Sequence, residues 1–137
     1  MSETNKILGE TQRWLAYAQR DLDAAFTLGE QEGDFAPQIC FLAQQAAEKS
    51  LKAALIFLQV EFPFRHDLDL LKALLPEDWE SRQLYPSLKE LTIWAVASRY
   101  PSLMEDASRD DADIALKMAI AVFESVKRDL QQRNFSL

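Results

Sequence analysis

The chain has 137 residues, 48% of them hydrophobic and 27% charged, which suits one core and leaves no room for a second domain of ordinary size. Fifteen basic against 22 acidic side chains give a net charge of −7, which repels a nucleic-acid backbone at long range unless the positive groups gather on one face. With one cysteine and one histidine, the chain has no internal disulfide and no zinc site of four Cys/His ligands; three glycines and five prolines are too few for a turn-rich β-sandwich or barrel.

The N-terminal residues lack the basic-then-apolar order of a signal peptide. The longest apolar run, Ala53 to Leu58, falls far short of the ~20 residues that span a bilayer, so the expectation is a soluble, cytoplasmic protein with no membrane contact. A first amphipathic helix is predicted from about Thr11 to Leu28, with Trp14, Ala18, Leu22, Ala25 and Phe26 at three- and four-residue spacings and Gly29 and Gly33 behind it. The second, from about Phe35 to Val60, sets Ile39, Leu42, Ala46, Ala47, Ser50, Ala54 and Phe57 on one stripe. Gln44, Gln45, Glu48, Lys49 and Lys52 form a polar stripe opposite, with Glu48 and Lys52 in the favourable i,i+4 order.

Glu61 to Arg65, with Pro63 between two phenylalanines, reads as a loop, and Leu68 to Leu75 as a short helix ended by Pro76. A fourth long helix is expected to run to about Ser98, with Ser87 and Glu90 spaced as a capping box behind Pro86 and with Pro101 stopping it. Ser108 and Asp111 have the same spacing before a last helix that carries Ala115, Met118, Ala119, Val122, Val126 and Leu130 on one face. The expected fold is all-α: an antiparallel up-and-down bundle of four long helices plus one short helix, a single domain over 1–137 with its core at about 11–131.

Few residues offer chemistry. His66 stands where the loop meets the short helix and could exchange protons near neutral pH, although His66 or Asp67 serves equally well to satisfy backbone groups at that helix start. Arg99 beside Tyr100 offers charge and stacking to a phosphate or carboxylate; an arginine near the free carbonyls of a helix end is the plainer reading. The acids Glu105, Asp106, Asp110, Asp111 and Asp113 lack the Asp-x-Asp-x-Asp-Gly calcium pattern and fit the positive end of a helix dipole better than a metal. The basic stretch Lys117, Lys127, Arg128 and Arg133 suits a helix C-terminus in the same way. Trp14 and Trp94 fall on apolar faces, and Cys40 between Ile39 and Phe41 reads as a small buried hydrophobe. Neither a glycine-rich phosphate loop nor a nucleophile elbow is present, and no cofactor is called for.

The pattern Trp14, Ala18, Asp21-Leu22, Ala25, then Phe41-x-x-Gln44-Gln45-Ala46-Ala47-Glu48-Lys49-x-Leu51-Lys52-Ala53, then His66-Asp67-Leu68 and Arg99-Tyr100-Pro101, resembles the HEPN family over roughly Arg13 to Leu130. The resemblance implies a helical bundle like that of nucleotidyltransferase substrate-binding subunits, frequent homodimers, and in prokaryotes a pairing with a small nucleotidyltransferase of the toxin–antitoxin type. Many HEPN proteins are ribonucleases with Arg, four to six residues, then His. Here the one histidine would need an arginine at 59, 60 or 61, which are Gln59, Val60 and Glu61, and reading forward from Arg99 meets Met104, Glu105 and Asp106.

The expectation is therefore a non-catalytic HEPN protein, a homodimer that binds a nucleotidyltransferase, with a nucleotide or RNA segment near His66 and Arg99. Its candidate ligand-binding residues are Gln45, Lys49, Lys52, His66, Asp67, Arg99 and Tyr100. The alternatives are a metal-independent ribonuclease using His66 as acid/base with Arg65 or Arg99 as phosphate clamp, and a nucleotide-binding scaffold without a protein partner.

Overall fold

Polar, exposed residues, Glu3 to Lys6, open the first helix ahead of its expected start at Thr11. In the computed structural model, which describes residues 2–100, 102 and 106–136, α1 spans Glu3–Glu30, and Ser2 caps it by accepting from the Asn5 amide. Helix α2 (Ala36–Phe57) starts with Pro37 in its first turn and ends earlier than its apolar pattern does. Gln59 takes a left-handed φ of 59°, and the Val60 and Gln59 amides donate to the Leu55 and Ile56 carbonyls, a Schellman stop. Glycine usually marks such a stop, so the sequence carried no signal for it.

Helix α3 (Leu68–Ala73) is capped by Asp67, whose carboxylate accepts from the Asp69 and Leu70 amides. The expected fourth long helix is two short ones, α4 (Glu80–Gln83) and α5 (Lys89–Ala97). Pro86 removes an amide between them, and Lys72 Nζ donates to the Tyr85 and Pro86 carbonyls, which fixes the intervening turn. The expected Ser87–Glu90 capping box does not form. Instead Asp69, from α3, accepts from the Leu88 amide (2.8 Å) and the Ser87 hydroxyl (3.0 Å), so one short helix caps the next. Pro101 and Glu105 lie outside the described residues. Helix α6 (Arg109–Gln132) has the expected capping box, Ser108 with Asp111.

Among the described residues the elements are three long and three short helices, with no strand. Helix α2 lies at the centre, with α1 and α6 along it and α3 and α5 against its remaining side. Its alanines Ala43, Ala46, Ala47, Ala53 and Ala54 are fully buried and let the neighbouring backbones approach closely. Arg109 ties the start of α6 to the Gly29 carbonyl at the end of α1, and Phe57 meets Phe135 edge-on at 5.7 Å, so α6 runs antiparallel to α1 and parallel to α2. Trp79 is fully buried beneath the Arg133 guanidinium, 4.5 Å from the ring centre. Arg133 also donates to the Asp129 carbonyl in the last turn, the role expected of a cation at that helix end.

No helix among the described residues is long and apolar enough to cross a membrane. Cys40 is fully buried, and burial, with the Asp111 carboxylate adding to it, pushes its thiol up to about 12. At pH 8 an alkylating reagent is expected to leave the native protein unmodified and to label one thiol per chain once denaturant is added; rapid labelling without denaturant would contradict this placement.

Candidate functional site

Gln44, Glu48 and Lys52 repeat every fourth residue and so share one stripe of α2. The sequence reading set this stripe opposite the core, yet all three side chains are buried, because α3 and the loop before it close over the stripe. The Glu48 carboxylate is the hub. One oxygen accepts from Gln44 Nε2 at 3.0 Å and meets His66 Nδ1 at 2.7 Å; the other accepts from Lys52 Nζ at 3.0 Å. Gln45 Nε2 donates to the Gln44 side-chain oxygen Oε1 at 2.7 Å, which turns the Gln44 NH₂ towards Glu48 and the His66 backbone carbonyl. The Lys52 ammonium also faces the Trp14 and Phe62 rings, at 5.8 and 5.6 Å.

Burial pushes the Glu48 carboxyl up, but the hydrogen bonds from His66, Gln44 and Lys52 outweigh it and hold the group below its ordinary 4.5. Glu48 is therefore a carboxylate at neutral pH, an acceptor only, and His66 Nδ1 carries the proton between them. Nε2 has no protein partner among the described residues, and the half-exposed ring lines a cleft.

That cleft, about 640 Å³, lies between residues 64–67, the start of α3 and one face of α5. Its size suits a small organic ligand. Ile93 and Val96 form an apolar wall, Tyr100 and the fully exposed Phe64 stand at its edges, and Arg65, Lys89, Arg99 and His66 bring nitrogen groups to it. Its two acids are engaged elsewhere: Asp67 caps α3 and Asp69 caps α5. Arg65, Lys89 and Arg99 make no ion pair among the described residues. The cleft lining brings three cations, Arg65, Lys89 and Arg99, against two carboxylates, Asp67 and Asp69, a local excess of positive charge on an acidic protein.

Of the seven residues singled out from the sequence, His66, Asp67, Arg99 and Tyr100 line this cleft. Gln45 and Lys52 stand behind it, three hydrogen bonds and two hydrogen bonds removed from His66 through the Glu48 hub. Lys49 faces another way: it pairs with Asp21 of α1 at 2.7 Å and borders a groove with Arg13, Trp14 and Tyr17. Glu48, Gln44, Lys89 and Ile93 were not singled out as site residues. The four-residue repeat of Gln44, Glu48 and Lys52 was the available sign, since a fully solvated face has no need of such matched donors and acceptors. No cluster of three or more potential metal ligands occurs among the described residues.

No match is found among curated proteins. Among solved structures, the crystal structure of an archaeal HEPN homologue superposes with a TM-score of 0.69 at 29% identity, covering 86% of this chain and 95% of that one. The HEPN domain profile matches residues 11–129, a span that contains α2 with its Gln44–Glu48–Lys52 stripe, His66 and both walls of the cleft. A helical bundle of this topology, with that profile along most of its length, places the chain in the HEPN family.

Proposed function

We propose that this HEPN protein is a binding module that takes a phosphate-bearing ligand, a nucleotide or a short RNA end, in the cleft between α3 and α5. It works as a homodimer beside a small nucleotidyltransferase, and it is not itself a nuclease. The observation that carries this reading is the set of Arg65, Lys89 and Arg99 on one cleft whose acids are already held in helix caps. Phosphate would sit on the guanidinium and ammonium groups, and a base would stack on Tyr100 or Phe64 at the edges. The absence of the Arg-x(4–6)-His spacing favours binding over cleavage.

Calorimetric titration with AMP, ATP and a 5′-phosphorylated oligoribonucleotide at low salt tests it. Arg99→Ala and Lys89→Ala are each expected to weaken binding about tenfold, the loss of one charge-assisted hydrogen bond, and added salt to weaken it further. Silence of the folded protein towards every ligand at millimolar concentration would overturn the reading. A pull-down with a small nucleotidyltransferase from the same source tests the protein partner separately, and failure to form any complex would overturn that part of the reading.

One observation favours a second reading, a metal-independent ribonuclease: the carboxylate–imidazole pair Glu48–His66 is the kind of unit that general acid/base chemistry uses. It requires that RNA be cleaved in EDTA and that His66→Ala abolish cleavage.

A further inference from the structure

We infer that Glu48 is a positioning residue that fixes His66 with its proton on Nδ1 and presents Nε2 to the cleft as a hydrogen-bond acceptor, so that the site selects ligands carrying a hydroxyl beside the phosphate. This rests on the ligand reading above and gives it a substrate class, ribonucleotides over those without ribose hydroxyls.

The geometry behind it is a count of donors and acceptors. Gln44 and Lys52 approach the Glu48 carboxylate only as donors, at 3.0 Å each. His66 Nδ1, at 2.7 Å, meets an oxygen that has nothing to donate, so the neutral ring must place its hydrogen there. Lys52 prevents the carboxylate from turning away, and Gln45 prevents the Gln44 amide from flipping to offer its oxygen. Every freedom that would allow the other tautomer is therefore removed by a neighbour on α2. What the ring offers the cleft is the Nε2 lone pair, an acceptor with no bond of its own among the described residues, beside the Asp67 and Asp69 carboxylates that already accept from helix-start amides and the donors Arg65, Lys89 and Arg99. The cations recognise an anion, and the Nε2 lone pair recognises a hydroxyl.

Because the chain has a single histidine, its two ring nitrogens are read directly from nitrogen-15 NMR of the labelled full-length protein without assignment. At a pH where the ring is neutral, the expected spectrum has a protonated Nδ1 and an unprotonated Nε2. In Glu48→Gln the amide oxygen stays with the Lys52 ammonium, which puts the amide NH₂ at the position that met Gln44 and His66. The ring then accepts at Nδ1, and the tautomer reverses.

In parallel, AMP is expected to bind the unaltered protein about tenfold more tightly than its 2′,3′-dideoxy analogue, one hydrogen bond's worth, and Glu48→Gln to lose that preference. A proton on Nε2 in the unaltered protein, an unchanged tautomer in Glu48→Gln, or equal affinity for the two nucleotides would overturn the inference. Failure of both nucleotides to bind while Nδ1 is protonated would instead overturn the ligand reading, and hydroxyl selection with it. The spectrum of the unaltered protein decides the tautomer even where the variant folds poorly.

Discussion

Glu48→Ala is expected to lower the unfolding free energy by about 3–5 kcal/mol, because it leaves a buried ammonium without its counter-charge. Lys52, 8% exposed at its side chain, has Glu48 as its hydrogen-bonding partner, and the aromatic faces of Trp14 and Phe62 do not replace a carboxylate. Gln44 and His66 lose an acceptor in the same step, so three groups are stranded by one truncation. Glu48→Gln keeps an oxygen for Lys52 and costs less. Urea denaturation at pH 7 measures both.

The acid limb gives a second check. The folded carboxyl lies below its ordinary 4.5, so its contribution to stability is fully present above that value and is lost as the pH falls through the folded value. The unaltered protein should therefore lose stability on acidification below pH 4.5, and Glu48→Gln should show a flatter profile there. An alanine variant within 1 kcal/mol of the parent, by the same order-of-magnitude reasoning, would mean that Lys52 escapes to solvent.

Asp129→Ala is expected to cost about 3 kcal/mol, the removal of a buried charged acceptor from several donors at once. Helix α4 has four residues and no capping side chain of its own, since Trp79 holds the N-cap position. Its cap comes from α6: the buried Asp129 carboxylate accepts from the Glu80 amide (2.9 Å), the Ser81 amide (2.9 Å) and the Ser81 hydroxyl (2.7 Å). Without it the part-buried Glu80 amide and the buried Ser81 amide lose their acceptor, and Trp79 loses the packing that α4 and Arg133 hold around it. Asp129→Asn retains one acceptor and should fall between. Hydrogen exchange should report the loss first in residues 76–88 rather than in α1 or α2; uniform loss of protection, or none, would contradict a local capping role.

The long helices were legible because each carries an apolar stripe at helical spacing, and that stripe is buried wherever the helix packs. Ser108 with Asp111 was legible as a cap because both partners lie within one turn. Ser87 with Glu90 has the same spacing and forms no box, since Asp69 from another helix supplies a stronger acceptor to the same turn. The two short helices in place of a long fourth one follow from that turn, which is held by Lys72 and Asp69, residues 13 and more positions away. Local pattern reading has no access to such partners.

By itself the sequence determined the all-helical class, the HEPN pattern, the lone histidine and the missing arginine–histidine spacing, for these depend only on residue types and short intervals. Which of the polar residues meet was decided by the tertiary structure alone. Gln45, Lys49 and Lys52 share a stretch of α2, yet one turns the hub's amide, one pairs with α1 and one neutralises a buried carboxylate. His66 and Arg99 lie 33 positions apart and line one cleft because α3 and α5 pack side by side on α2. Helical periodicity states which residues share a face; it does not state what covers that face, and here the cover made a polar stripe into the buried support of a histidine.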